Sequence, residues 1–492
     1  MRYLGYAHLH RHLRLTAIEP ERPARLASVT RVTATPAALL VPAQVAPETD
    51  EPLAHLLFAL KHEGVNLPIL AQTLRALPAA RLLDAARAAP SGAYARIAGC
   101  LWEAFNDRRL DDLPAIQGPT VDLFDPKRYI TGPSVRDARW RVNFNGLGSL
   151  AYCATVERTP EIEDLLAQDI LARADDFLQH LEPMAAERAM SWAYLYETES
   201  SFAIEREKPS TGKAEAFVDL LRQAHRAQAL DEEALIALQN VTITNPFDRA
   251  SAYRHEQNWL RGPLRGAAGV TYVPPPPAWV GPLMAGLLDF ANAAPRRIDP
   301  LIAAAVSSFG FVSIHPFMDG NGRLSRFLFH HALCRSGRLR DGRLLPVSVA
   351  MKRNEAEYLD VLQHFSAPAR KRWEVEWIGD DDYRLRYRGD DTLYRYWDAT
   401  RCVEFGLRMA RQALEHDLRQ ETDFLARFDR VFKAMDARFD VRGNDLTTLV
   451  VACLQNNGRL SMRRRKQYHP RISPAVFDAL EEECAEMAGT RQ

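Results

Sequence analysis

The chain has 492 residues, with 63 Lys and Arg against 63 Asp and Glu, a formal net charge of zero. That balance excludes a global attraction to nucleic acid or to an anionic membrane surface, so any charged partner must be met by a local patch. The 6 cysteines are scattered without CxxC or other metal-ligand spacing, which excludes a disulfide framework and suits a reducing compartment.

The length leaves room for several domains. The first segment, MRYLGYAHLHRHLRL, mixes His and Arg into its apolar positions and so lacks the apolar stretch of a signal peptide. A cytoplasmic location is the expectation. Leu53–Leu60, Leu67–Leu77 and Tyr94–Phe105 place apolar residues three and four apart, as amphipathic helices do. Pro68 suits the first turn of the second of these. Gln117–Arg141 is rich in Pro, Gly and Asp and reads as a loop-rich connection. A domain boundary is expected after it, giving a mainly helical unit over 1–155, a second over 156–370 and a helical extension over 371–492.

Helical spacing resumes through Leu165–Leu181, Ala185–Tyr196, Lys213–Ala229 and Glu232–Asn240. Thr244–Trp279 is irregular and ends in Pro274-Pro275-Pro276-Pro277, which no helix can cross. Helices return at Gly281–Ala291 and Pro300–Ser313. Leu301–Val312 is the most apolar run, too short for a membrane span and better read as a buried helix. Asp380–Tyr396 is acidic and rich in tyrosine and breaks the helical pattern. The basic run 463–466 reads as a solvated helix face or loop. All-α is the fold class expected.

Chemistry concentrates in His315-Pro316-Phe317-Met318-Asp319-Gly320-Asn321-Gly322-Arg323-Leu324-Ser325-Arg326. An apolar helix ends just before it, a glycine-rich turn follows, and a second helix begins near Arg323. Gly320 and Gly322 let a ligand approach the main chain, and the amides opening the second helix favour an anion. Arg323 and Arg326 lie one turn apart and can both reach phosphate oxygens. Asp319 beside such a nest makes sense with Mg²⁺ between it and the phosphates. His315 can accept a hydroxyl proton near neutrality. Base, metal ligand, anion nest and two arginines describe phosphoryl or nucleotidyl transfer.

This segment resembles the Fic motif: His, any, Phe, any, Asp or Glu, Gly, Asn, Gly, Arg, two of any, Arg. The resemblance implies a helical Fic-type core with a small β-hairpin flap, and AMP transfer from ATP-Mg²⁺ to a Ser, Thr or Tyr hydroxyl of a target protein. It implies that His315 deprotonates the hydroxyl, that Asp319 holds Mg²⁺, and that Gly320, Asn321 and Gly322 cradle the α-phosphate region. Arg323 and Arg326 then bind the outer phosphates, with Phe317 as an apolar anchor. Family members that transfer phosphate carry Lys where this chain has Gly322. Trp259–Pro277 resembles the flap along which a target segment docks as an added strand. Tyr358, in Asn354–Leu359, resembles an aromatic neighbour of adenine, and an ordinary packing role stays open.

Upstream, Ser200-Ser201-Phe202-Ala203-Ile204-Glu205-Arg206 resembles the family's inhibitory motif, Ser or Thr, three of any, Glu, then Gly or Asn. Ser201 and Glu205 match, and Arg206 departs from the pattern. By resemblance Glu205 pairs with Arg326 and takes the donors a γ-phosphate needs, and the same glutamate implies removal of AMP as a second activity. The string Pro209–Ala214 only faintly resembles a phosphate loop, lacking its first glycine and its hydroxyl residue. Adjacent His330 and His331 diverge on a helix and make no metal site. A non-catalytic nucleotide-sensing regulator, transfer of a different phosphate-containing group, and a homo-oligomer all stay open.

Overall fold

The computed structural model describes residues 2–226, 228–340, 342–379 and 382–489, so Asp380 and Asp381 of the acidic, tyrosine-rich patch lie outside the described residues. The chain is all-α, 57% helical with few short strands, as its periodicity predicts. Among the described residues no helix is long and apolar enough to cross a membrane.

The N-terminal helices Gly5–His12, Pro52–His62, Leu67–Ala76, Ala79–Ala88 and Ala93–Asn106 bury Leu56, Leu70, Leu74, Trp102 and Trp140 in one core. Leu67–Ala76 starts where Asn66 Oδ1 accepts the Ile69 N–H at 3.1 Å, with Pro68 in the first turn. A second core, over Val431–Cys484, forms at the C-terminal end. There the basic run lies on the helix Met462–Tyr468, and Arg465 is spent on Asp478 and Glu481 at 2.9 and 2.8 Å.

Between them lies the largest core, reaching from Ile130 to Leu418. Among the strands and helices of this central region, in chain order, are β1 (Tyr152–Thr155), α1 (Pro183–Ile204), the hairpin pair β2 (Leu260–Arg261) and β3 (Val270–Tyr272), then α2 (Pro277–Ala293), α3 (Pro300–Ile314), α4 (Asn321–Ser336), α5 (Val347–Arg353) and α6 (Glu355–Arg370). A second hairpin, β4 (Trp373–Gly379) and β5 (Asp382–Tyr387), precedes β6 (Tyr396–Asp398) and α7 (Thr400–Gln412). β2 and β3 are antiparallel. β6 adds to β1 in parallel, Tyr396 beside Cys153 and Asp398 beside Thr155. Residues 393–418, expected within the C-terminal extension, therefore pack into the central core.

α3 sits at the centre. Its sequence, PLIAAAVSSFGFVSI, is buried from Pro300 through Phe311, since a helix apolar all round must be covered all round. Asp299 caps it by accepting the Leu301 N–H at 2.9 Å, with Pro300 in the first turn. It packs on α4, α7 and α2. Its C-terminus delivers His315, and the N-terminus of α4 begins only a short turn later.

Candidate active site

The turn between α3 and α4 is set by two left-handed residues. His315 ends α3 at φ 54° and Gly320 opens α4 at φ 86°, and only glycine takes that conformation without cost. Asn321 holds the loop in shape: its Oδ1 accepts the Phe317 N–H at 3.0 Å and its Nδ2 donates to the Phe317 carbonyl at 2.7 Å. The Asn321 side chain thus braces the loop itself. Phe317 is buried beneath it against Tyr253 and Phe311. Gln239 adds a brace that gave no sequence signal, its Nε2 donating to the carbonyls of Asp248 and Asp319 at 2.8 and 3.2 Å.

His315 is 8% exposed. Its Nδ1 lies 3.2 Å from the Val312 carbonyl, an acceptor only, so Nδ1 carries the proton and Nε2 keeps its lone pair. Burial above all, with the nearby Arg254 cation acting in the same direction, pushes the imidazole down to about 4. At neutral pH the ring is therefore uncharged and able to take a proton.

Both arginines of α4 are buried, each about 1% exposed, and both face carboxylates. Arg326 donates from Nε to Ser201 Oγ at 2.9 Å, and from Nη2 to the Ser201 carbonyl at 2.6 Å and Glu205 Oε1 at 2.9 Å. Arg323 donates from Nη2 to both oxygens of Asp319, at 3.2 and 3.1 Å, and from Nη1 to Glu207 Oε2 at 2.9 Å and the Thr242 carbonyl at 3.0 Å. The Thr244 hydroxyl donates to the same Glu207 oxygen at 2.6 Å. Glu207 is a member of this site that the sequence reading missed. Its only sequence signal is its place two residues beyond Glu205.

The register between α1 and α4 explains these pairings. The two helices run antiparallel and meet in steps of four residues. Glu197 accepts from His330 Nε2 at 2.5 Å, Ser201 meets Arg326, and Glu205 lies against Gly322. A Cβ built on Gly322 would stand 2.0 Å from Glu205 Oε1, so the carboxylate rests on bare main chain at the start of α4. That is where a helix N-terminus attracts an anion. Arg323 Nε and Arg326 Nη1 are buried without a hydrogen-bond partner among the described residues. Bare glycine backbone, spare guanidinium donors and a half-exposed Asp319 carboxylate form a donor set that suits a polyphosphate with Mg²⁺.

α1 ends in a Schellman turn. Glu205 is the C-cap and Arg206 follows at φ 60°. The Arg206 N–H donates to the Ala203 carbonyl at 3.0 Å and the Glu207 N–H to that of Phe202 at 3.1 Å. A left-handed position explains why a motif with Gly or Asn here is natural, and Arg206 occupies it at a cost. Glu205 pairs across with Arg326, while the turn carries Glu207 to Arg323.

Tyr358, on α6, is buried against Phe309 and Phe405. Burial raises its phenol, with Arg326 and Glu205 as its charged neighbours. It is both a packing residue and an inner wall of the arginine site. His330 and His331 diverge as expected, the latter to the Gln228 carbonyl at 2.9 Å. A cavity of about 670 Å³ lies between the N-terminal helices, α6 and β6, and no residue from 315 to 326 lines it. Cavity size does not mark this site; the convergence of charge does.

Residues 229–333 match the Fic/DOC family profile. The protein adenylyltransferase Fic of Aedes aegypti is 26% identical over 244 residues, 43% of this chain and 46% of that protein. The protein adenylyltransferase fic-1 of Caenorhabditis elegans is 36% identical over 67 residues, 13% of each chain. The chain thus spans about half the length, or less, of the curated relatives it matches. Among solved structures, a Fic family protein from Desulfovibrio desulfuricans is similar at 23% identity and TM-score 0.41, over 63% of this chain and 88% of that one. A Fic-1 fragment from Caenorhabditis elegans is similar at 16% identity and TM-score 0.34, over 74% and 89%.

Proposed function

Because this chain carries a Fic domain, matched over residues 229–333, we propose that it transfers AMP from ATP to a Ser, Thr or Tyr hydroxyl of a protein and that its own carboxylates hold it in check. The observation that carries this reading is the Glu205 carboxylate, seated on the Gly322 main chain and bonded to Arg326. A carboxylate there mimics one phosphate of a nucleotide and consumes the donors that phosphate would use.

With Glu205 withdrawn, Arg323 and Arg326 bind the outer phosphates, and the N-terminus of α4 with Gly320 and Gly322 receives the α-phosphate. Asp319 would hold Mg²⁺, which when bound neutralises phosphate charge. His315 Nε2 accepts the proton of the target hydroxyl, whose oxygen bonds to the α-phosphorus. The bond from that phosphorus to the oxygen bridging it to the β-phosphate breaks, and pyrophosphate leaves. The target segment docks along the flap formed by β2, β3 and the prolines after them, where exposed strand edges ask little of target side-chain identity.

Incubation with α-labelled ATP and Mg²⁺ tests this. The Glu205→Gly protein should label itself more strongly than wild type, and His315→Ala should abolish the signal in either background. Label from γ-labelled ATP alone would mean phosphate transfer. Nucleotide binding with no transfer from any label would make the protein a nucleotide-sensing regulator.

A further inference from the structure

The flap and the base are remote in sequence, yet one buried segment stitches them together. Arg254 is 5% exposed and every acceptor it reaches is a main-chain carbonyl. Its Nε donates to His315 at 2.8 Å, its Nη2 to Pro275 at 2.5 Å and its Nη1 to Glu256 at 3.1 Å. Its own backbone N–H donates to the Pro316 carbonyl at 2.8 Å. Three and four residues further on the pattern repeats: Gln257 Nε2 donates to Pro274 at 3.0 Å and Asn258 Nδ2 to Phe317 at 3.2 Å. From the flap side, the Tyr272 hydroxyl donates to the Ser313 carbonyl.

A buried guanidinium with no carboxylate partner is costly to keep. Burial pushes Arg254 down to about 10, still charged at neutral pH. What this cation does that an apolar residue cannot is fix several carbonyls at once, because its donors form a rigid planar fork. The carbonyl at His315 needs fixing, since that residue holds a left-handed backbone that only glycine takes without cost. The direction of its peptide sets where the imidazole points.

We propose that Arg254 is a positioning residue that clamps the His315–Pro316 main chain to the Pro275 end of the flap, so that one side chain sets both the aim of the base and the seat of the docked target. Gln257 and Asn258 extend the clamp. This rests on the transferase reading for its catalytic consequence, while the clamp itself is a statement about the loop and the flap.

Two measurements separate these. In the Glu205→Gly background, Arg254→Lys keeps the charge but loses the fork. Its turnover for AMP transfer should fall about 10- to 100-fold, the scale of a small misplacement of reacting groups. ATP should bind with unchanged stoichiometry and affinity, because Arg323, Arg326 and the α4 N-terminus are untouched. Amide hydrogen exchange of the full chain should rise together in peptides covering 312–322 and 259–273. An unchanged turnover with intact exchange, or faster exchange in only one of the two segments, would overturn the clamp. If the parent transfers no AMP, the transferase reading fails and the exchange result alone decides the clamp. Should Arg254→Lys not fold, Asn258→Ala removes the neighbouring stitch and is judged by the same criteria.

Discussion

Glu205 and Glu207 divide the two motif arginines between them, one carboxylate on Arg326 and one on Arg323. Each carboxylate is about one-third exposed, so each contact is partly screened by solvent. A hydrogen bond to a charged group nonetheless contributes on the order of 1.5 kcal/mol or more. Removing Glu205 should therefore raise self-labelling from α-labelled ATP by about tenfold or more, and Glu207→Ala alone by less, because Asp319 still holds Arg323. The double variant should exceed either single one. Equal labelling by wild type and Glu207→Ala, alone and on top of Glu205→Gly, would remove Glu207 from the inhibitory set. The spacing of the twelve-residue motif made His315, Asp319, Arg323 and Arg326 legible in the sequence. Glu207 was not, because its arginine lies 116 positions away and nothing local announces such a pairing.

The end of α1 is where the proposed inhibition would be built. A Schellman turn reverses the chain after Glu205 and presents Glu207 to a different arginine from the one Glu205 holds. The residue that makes this turn, Arg206, sits at φ 60°, a conformation costing a non-glycine residue about 1–2 kcal/mol. Arg206→Gly should relieve that cost, hold the end of α1 more firmly and lower basal self-labelling. Higher basal labelling would show that the Arg206 side chain itself supports the closed arrangement. The start and end of α3 and α4 were legible because Pro300, the glycines and the apolar run are local signals. The antiparallel register of α1 on α4 was not. It depends on Glu197 reaching His330 and Ser348 across the core, and no periodicity within either helix specifies its partner.

Across the whole molecule, burial holds His55, His315 and His331 uncharged, each pushed down to about 4. Unfolded, each would titrate near 6.5. The unfolded chain therefore binds more protons than the folded one between these values. The contribution of each histidine to stability is present above pH 6.5 and falls as pH drops toward 4, by up to about 1.4 kcal/mol per pH unit. Glu63 acts oppositely: burial raises it to about 7, so its contribution is present at low pH and is lost as pH rises through 7. A difference measurement isolates one group. His331→Asn should narrow its gap in thermal midpoint from wild type as pH falls from 7 to 5. A gap that stays constant would show that His331 titrates normally in the folded protein.

Composition, periodicity and one contiguous motif were enough to determine an all-α chain and a glycine-containing turn between two of its helices. Those features arise among residues close in the chain, where backbone angles, capping and helical spacing act directly. Tertiary packing alone decided that Glu207 reaches Arg323, that β6 joins β1, and that Arg254 binds the His315 loop to the flap. Each of these joins groups far apart in sequence whose free energy of contact exists only once the intervening helices have packed.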